Sequence, residues 1–315
     1  MDNFGDDLML KSIIEDFSLK KLKINILAYR EISWLNSDEY PHVKVMVWPD
    51  GKLGKLKFFR KVTKNSSIIA WGGGTCFTDE DGDGYFKYMV YSKLIGKKVV
   101  YLGVGIGNLN RYARKLKTII LINISNALAF REKESLNKAL DYYYLKNINK
   151  LYLVEDPANR VLNQMSQHLE QNTQNALVVA WRDLSKYSKT TIGNSFSEVI
   201  ECCNTLCEEY NLDKVIIMDT DSVIDPEVSL KLVSLLEKNL NIKIVYDNAT
   251  SYESKMYILN SSKVILTSRL HIAVAAKYLG KQCFVYNYSP KIKYYVEEIN
   301  EKNIKLIDKD FSVTN

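Results

Sequence analysis

The sequence predicts an α/β protein built of two doubly wound domains that face a cleft. Three observations lead there. Short β-branched runs alternate with longer amphipathic stretches along the chain, the pattern of parallel sheets covered on both faces. The chain has 315 residues, whereas a single core stops growing efficiently at about 250–300, so two domains are expected. A polar segment rich in Gln and Asn, residues 159–175, interrupts the alternation near the middle. It reads as a helix plus linker and places the join there, giving domains 1–165 and 166–315.

The elements follow in order. Apolar, β-branched runs at 23–28, 43–48, 67–71, 98–103, 127–130 and 151–154 read as strands of the first domain. Runs at 176–181, 214–218, 242–246, 263–267 and 283–286 read as strands of the second. Amphipathic stretches at 7–20, 85–95, 113–123 and 132–143 read as helices, as do 195–210, 226–239 and 270–278. Two doubly wound domains would take a ligand at the C-terminal ends of their strands.

Composition excludes several classes. Hydrophobic residues make up 46% and charged ones 25%, the balance of an ordinary globular protein. The formal charge is +6. Read as a mild excess spread along the chain, it makes no case for nucleic acid and suits a pocket for a small anion. No apolar run reaches the roughly 18 residues of a membrane span. The start, Met1-Asp2-Asn3-Phe4-Gly5-Asp6-Asp7, is acidic, unlike a secretory signal. Five cysteines, with Cys202, Cys203 and Cys207 inside one expected helix, do not have zinc spacing. Reduced, buried thiols and a cytoplasmic location are expected, with no metal site.

Four stretches and three cations carry the chemistry. Trp71-Gly72-Gly73-Gly74-Thr75 follows a strand directly, where glycines let backbone N–H groups approach a phosphate or sugar; a tight turn is the plainer reading. Gly103-Val104-Gly105-Ile106-Gly107 fails the dinucleotide spacing because its third Gly comes one residue early, which argues against NAD. Asp79, Asp81, Asp83 and Gly84 match the first half of a calcium loop, but position 12 is Val90 instead of Glu, so a solvated acidic loop is expected. Ser268-Arg269-Leu270-His271 follows a buried strand and opens a helix. Ser268 is a good N-cap, and Arg269 and His271 fall in the first turn, where an anion is favoured. A histidine there can exchange a proton near neutral pH. Arg182 and Lys291 stand at C-terminal strand ends of the same domain and, with Arg269, make a trianion site. Arg131 is their counterpart in the first domain.

Taken in order, Asn3-Phe4-Gly5-Asp6, Trp71-Gly72-Gly73-Gly74-Thr75, the 103–107 glycines, Phe130-Arg131-Glu132-Lys133-Glu134-Ser135, Asp156-Pro157-Ala158, Ser268-Arg269-Leu270-His271 and Tyr288-Ser289-Pro290-Lys291 resemble the polysaccharide pyruvyl transferase family. The resemblance implies two Rossmann-like domains in a GT-B-like arrangement. It implies phosphoenolpyruvate as co-substrate, with no further cofactor, and a sugar diol as acceptor, free or lipid-linked, giving a pyruvyl ketal on a cell-surface polysaccharide or its precursor. The second domain becomes the phosphoenolpyruvate side and the first the acceptor side. By matching positions, His271 and Arg269 are the catalytic pair, and Arg182, Ser268 and Lys291 bind the donor. Asn3, Asp6, Gly72, Gly73, Gly74, Thr75 and Arg131 line the acceptor side or cleft. The family has a strand before its Asn-x-Gly-Asp loop. Met1 stands two residues before Asn3, which implies a truncated start or a first sheet lacking that strand. No transmembrane segment or nucleic-acid partner is expected; peripheral membrane association is compatible with a lipid-linked acceptor.

Two rivals stand beside this reading. A GT-B glycosyltransferase using a nucleotide sugar would need a late carboxylate for the ribose, for which Glu297 and Glu298 are placed. A non-catalytic glycan-assembly protein would not need the Arg269/His271 pair.

Overall fold

The structure, a computed structural model, describes residues 3–80, 82–144, 149–170, 172–184, 196–308 and 313–314. The chain forms two compact units, one of Met9–Pro157 and one joining Asp2–Leu8 to Ala158–Asn315. Helix α1 (Phe4–Ser18) therefore begins in a segment counted with the second unit and continues into the first.

In the first unit, β1 (Ile24–Ala28) and β2 (Val43–Val47) form a separate parallel pair. A larger sheet holds β3 (Ile68–Gly72), β4 (Thr75–Thr78), β5 (Gly82–Asp83), β6 (Lys98–Ile106), β7 (Ala127–Phe130) and β8 (Leu151–Leu153). The nine-residue strand β6 is the reason for its layout. β3 pairs with its first half, from Ile68 opposite Lys98 to Gly72 opposite Leu102, and β4 pairs with its far end, with Thr75 opposite Gly105. Helices α2 (Lys52–Lys64), α3 (Phe86–Leu94), α4 (Tyr112–Ile124) and α5 (Lys133–Tyr142) complete the unit. Its core centres on Phe77, Tyr101, Leu121, Leu128 and Phe130. A smaller aromatic cluster joins Trp48, Phe59 and Tyr88, with the Trp48 and Phe59 rings stacked at 6.1 Å.

In the second unit, α6 (Ala158–His168) leads into β9 (Ala176–Ala180), α7 (Phe196–Glu209), β10 (Lys214–Met218), α8 (Pro226–Asn239) and β11 (Lys243–Asp247). Then follow α9 (Tyr252–Ser261), β12 (Val264–Thr267), α10 (Leu270–Leu279), β13 (Gln282–Tyr286), α11 (Pro290–Ile299), β14 (Ile304–Ile307) and β15 (Val313–Thr314). The sheet order is β11-β10-β9-β12-β13-β14-β15, parallel except for β15. This is the doubly wound order, and the chain reverses direction across the sheet between β9 and β12. All of β9 is buried, as its continuous Ala-Leu-Val-Val-Ala run requires. Each Val or Leu so buried contributes about 1.5–3 kcal/mol.

The expected strands and helices are present, with ends shifted by a few residues. Sequence reading misses α2, α9 and α11 and the short strands β4, β5, β14 and β15. The α9 segment follows Asn248-Ala249-Thr250-Ser251, which reads as loop, yet Ser251 Oγ caps the helix by accepting the Ser254 N–H at 3.1 Å.

Candidate active site

In a doubly wound sheet the ligand crevice opens where the strand order reverses, outside the carboxyl ends of the two strands. Here those ends are Trp181-Arg182 after β9 and Ser268-Arg269 after β12. Ser268 is fully buried, and its Oγ accepts the Arg182 N–H at 2.9 Å. Its own N–H donates to the Ala180 carbonyl, as does the Thr267 hydroxyl. The expectation that Ser268 caps the helix is therefore corrected. Ser268 continues the strand in register with β9, and its hydroxyl ties two strand ends together. The N-cap is Arg269, with extended backbone, and His271 is the second residue of α10.

Arg269 is ion-paired through Nη2 with Asp225 Oδ1. Asp225 is 1% exposed, and its other oxygen accepts from the Thr220 N–H, the Thr220 hydroxyl and the Asp221 N–H. One carboxylate thus fixes both the β10–α8 loop and the arginine. Arg269 Nε is buried and lacks a hydrogen-bond partner among the described residues, so one donor of the fork is still uncommitted. Beneath the loop lies Lys255, fully buried, donating to the Thr220 carbonyl at 3.2 Å. Burial pulls its pKa down, while Asp7, Asp225, Asp219 and Asp221 favour the charged form. Burial likewise raises the pKa of Asp219, which accepts from Tyr246.

The N-terminal segment closes this cluster. Asn3 Oδ1 accepts the Asp6 N–H at 3.2 Å and so caps α1, while its Nδ2 donates to Asp221 Oδ2 at 3.0 Å. Burial opposes ionisation of Asp221, but the Asn3 amide, the Val223 and Ile224 N–H groups and Arg269 hold its pKa below the ordinary value. Phe4 is buried and Asp6 exposed; Asp7, which sequence reading passed over, is the buried acid that faces Lys255. Gly5 lies against the imidazole: a Cβ built there would meet His271 Nδ1 at 2.0 Å and Cγ at 2.5 Å. In a helix Ala is otherwise favoured over Gly by about 1 kcal/mol. Gly5→Ala is therefore expected to leave the melting temperature near wild type while displacing the His271 ring. Turnover should fall at least tenfold, in keeping with the weight of a general acid/base. Steady-state kinetics beside a thermal melt checks this, and unchanged turnover would dismiss the packing argument.

Three cations converge on Tyr288, at the end of β13. Arg182 Nη1 donates to the Tyr288 hydroxyl at 3.3 Å, and the guanidinium sits 5.8 Å from the ring centroid. Burial favours the neutral phenol, yet Lys291, Arg182 and Arg269 together pull its pKa below the ordinary value. The three residues assigned to an anion by sequence thus share one locus. Ser289, the N-cap of α11, also has a buried hydroxyl without a partner among the described residues.

The first unit treats its motif residues differently. Gly73 and Gly74 have φ of +72° and +76°, which L side chains rarely adopt. The run is the break between β3 and β4 along β6, and the Gly73 N–H is spent on the Leu102 carbonyl at 2.7 Å. A Cβ at Gly72 would meet Ile13 Cδ1 at 2.6 Å, and one at Gly73 would meet Met9 Sδ at 2.6 Å. Helix α1 covers these two; only Gly74 has open space. Arg131 is 9% exposed and clamped. It reaches Asp156 at 2.7 Å, Glu132 at 3.2 Å, Met9 Sδ at 3.5 Å and Thr75 Oγ1 at 3.4 Å. Burial opposes its charge, but Asp156 and Glu132 raise its pKa. This clamp holds the ends of β4, β7 and β8. The acidic loop is also structural: Asp79 accepts the Asn110 and Arg111 N–H groups, and Asp83 pairs with Lys117 at 2.7 Å. Asp81 lies outside the described residues.

Sequence reading gives no part in these constellations to Asp225, Asp221, Lys255 and Asp7, and it quotes Tyr288 and Asp156 only as motif members without a role. Asp225 carried a signal, since Asp before Pro226 marks a helix start, but the structure spends its carboxylate on Arg269. All five cysteines are free and buried; burial pushes the Cys202 thiol up to about 12 and Cys207 to about 11. Among the described residues there is no group of three metal-ligating side chains, and no helix is long and apolar enough to cross a membrane. Glu297, on the exposed face of α11, pairs with Lys293 at 3.7 Å.

Comparison with known proteins adds family and fold. A family model described as polysaccharide pyruvyl transferase matches residues 3–290. None of the curated proteins matches the chain in sequence. Among solved structures, a putative UDP-N-acetylglucosamine 2-epimerase from Listeria monocytogenes superposes with a TM-score of 0.66 at 11% identity, covering 98% of this chain and 82% of that one. The UDP-GlcNAc 2-epimerase of Methanocaldococcus jannaschii gives 0.63 at 14% identity, covering 96% and 86%. That of Neisseria meningitidis, bound to UDP-GlcNAc, gives 0.59 at 15%, covering 96% and 84%. The chain shares with them a GT-B-like α/β fold.

Proposed function

Because the chain belongs to the polysaccharide pyruvyl transferase family, we propose that it moves the pyruvyl group of phosphoenolpyruvate onto two hydroxyls of a sugar. The product is a pyruvyl ketal on a cell-surface polysaccharide or its precursor, formed in the cytoplasm without a resident cofactor or metal. The observation that carries this reading is the contact of Arg182 with Tyr288, with Lys291 and Arg269 also close enough to pull the phenol pKa down, and His271 two residues after Arg269 at the start of α10. A carboxylate and a phosphate on one small molecule need such a set, and planar guanidinium groups suit both anions.

The chemistry assigns a task to each group. The enol phosphate is inert until its methylene carbon takes a proton, which leaves an oxocarbenium-like carbon. A first sugar hydroxyl adds there and loses its proton. The carbon–oxygen bond to phosphate then breaks and inorganic phosphate departs. A second hydroxyl adds and loses its proton, closing the ketal. His271 is assigned to proton transfer. Arg269, held by Asp225, and Arg182 and Lys291 bind the donor in the second unit. Ser268 positions Arg182. In the first unit the acceptor is assigned to the open backbone at Gly74 and Thr75, whose hydroxyl the Arg131 clamp orients. Exposed Asp6, beside Gly5, is assigned to an acceptor hydroxyl.

Phosphoenolpyruvate at ~100 times its dissociation constant is expected to stabilise the protein by about 2.7 kcal/mol. Thermal melts against phosphoenolpyruvate and UDP-GlcNAc check this, followed by mass spectrometry of candidate lipid-linked sugars for the pyruvyl adduct. A shift with UDP-GlcNAc alone would replace this reading with a nucleotide-sugar enzyme.

A further inference from the structure

The charge of this chain is not spread evenly, contrary to the reading from its total. Residues 51–131 carry fifteen Lys and Arg against four Asp and Glu, a net +11, so the remainder carries −5. The four acids lie together at 79–83, where Asp79 and Asp83 are already engaged with the 110–117 segment. Helix α2 contains no acidic residue, and Asp50 stands just outside it. Along α2, Leu53, Lys57, Arg60, Lys61 and Lys64 recur at i, i+4, i+7, i+8 and i+11, one stripe about 16 Å long. All five are exposed, while Phe59, Val62 and Thr63 are buried on the opposite side. Among the described residues none of these four cations has a carboxylate partner; Arg60 lies over the Tyr91 ring at 5.5 Å.

The stripe continues past the helix. Lys97 Nζ donates to the Lys64 carbonyl at 3.1 Å, which brings the start of β6 beside the end of α2. Lys98, in register with Ile68, extends the basic surface. Apolar side chains protrude among these cations: Leu53 is 76% exposed, Leu94 80% and Ile68 51%. A soluble polyanion gains nothing from protruding leucines. A bilayer gains from both, since cations sit at lipid phosphates while apolar side chains enter the acyl boundary.

We propose that the α2 face of the first unit, from Leu53 through Lys57, Arg60, Lys61 and Lys64 to Lys97 and Leu94, docks on an anionic lipid bilayer. The inference goes beyond the pyruvyl-transfer reading and does not depend on it. Each Lys or Arg near an anionic leaflet contributes about fivefold in partition.

Co-sedimentation of the full chain with phosphatidylcholine vesicles, with and without phosphatidylglycerol, tests this. Binding is expected only with phosphatidylglycerol and is expected to weaken at high salt. Lys57→Glu/Arg60→Glu/Lys61→Glu should lower binding at least a hundredfold. Its melting curve and its shift with phosphoenolpyruvate should stay those of wild type, because the three side chains are exposed. Leu53→Ser should weaken vesicle binding severalfold and leave heparin binding unchanged. Failure to bind phosphatidylglycerol vesicles, or binding that the triple reversal leaves intact, overturns the proposal. Binding to heparin or duplex DNA as tight as to vesicles, with Leu53→Ser lowering neither, identifies a general polyanion site and overturns it as well.

Discussion

His271→Ala is expected to lower turnover by about 10²–10⁴-fold, the range a positioned general acid/base supplies. The motivating geometry is the ring's place on the second residue of α10, against the bare Cα of Gly5 and two residues after Arg269. Donor binding should survive, because Arg182, Arg269 and Lys291 are untouched. The thermal shift with phosphoenolpyruvate should therefore stay close to that of wild type while the chemical step fails. His271→Gln keeps the approximate size and a hydrogen-bonding end group, but it cannot carry a proton back and forth near neutral pH, so it should not rescue turnover. Single-turnover measurements beside the melt separate the two effects. Turnover of His271→Ala within about threefold of wild type, well short of the acid/base range, would remove His271 from the chemistry.

Asp225→Asn is expected to be the most destabilising conservative change near the site. The carboxylate is 1% exposed and the Arg269 side chain 13%. Breaking one partner out of such a buried pair costs about 3–5 kcal/mol, because the remaining charge is left uncompensated. An amide of the same shape also cannot accept from Arg269 and from the Thr220 and Asp221 N–H groups with both ends. For a unit of this size each kcal/mol moves the melting temperature by about 2–4 °C, so a fall of roughly 10 °C is expected. Arg269 should also lose its fixed position, raising the Michaelis constant for phosphoenolpyruvate more than it lowers turnover. Adding Arg269→Met to Asp225→Asn removes the orphaned charge, and part of the stability should return while activity does not. A single variant that melts within 2 °C of wild type would show that the pair does not hold the loop.

The two halves of the chain were legible to different degrees. Second-unit strands are continuous apolar runs, as β9 shows, and the strand–helix alternation there leaves little choice of architecture. Arg182, Arg269, His271 and Lys291 could be singled out because each follows a buried strand, a position that depends only on local pattern. The first unit was harder. Its glycine run reads as a ligand loop, yet two of the three glycines serve the close approach of α1, and Arg131 reads as a cleft cation while it is enclosed by Asp156 and Glu132. Glu132 is the next residue, but Asp156 follows β8, 25 positions on, and spacing along the chain says nothing about which strand ends meet.

The same division separates what sequence alone determined from what tertiary structure decided. Hydrophobic periodicity determined the α/β class, most of the strands and helices, and the short list of cations and the histidine, because periodicity and strand ends are local properties. Only the tertiary structure decided that Ser268 ties Arg182 to β12 instead of capping α10, that Asp225 holds Arg269, and that Gly5 makes room for His271. It alone also set Lys255 among four carboxylates. These contacts join residues tens to hundreds of positions apart. They follow from the order in which parallel strands assemble, and that order is fixed by how the faces of the sheet are covered in the folded chain.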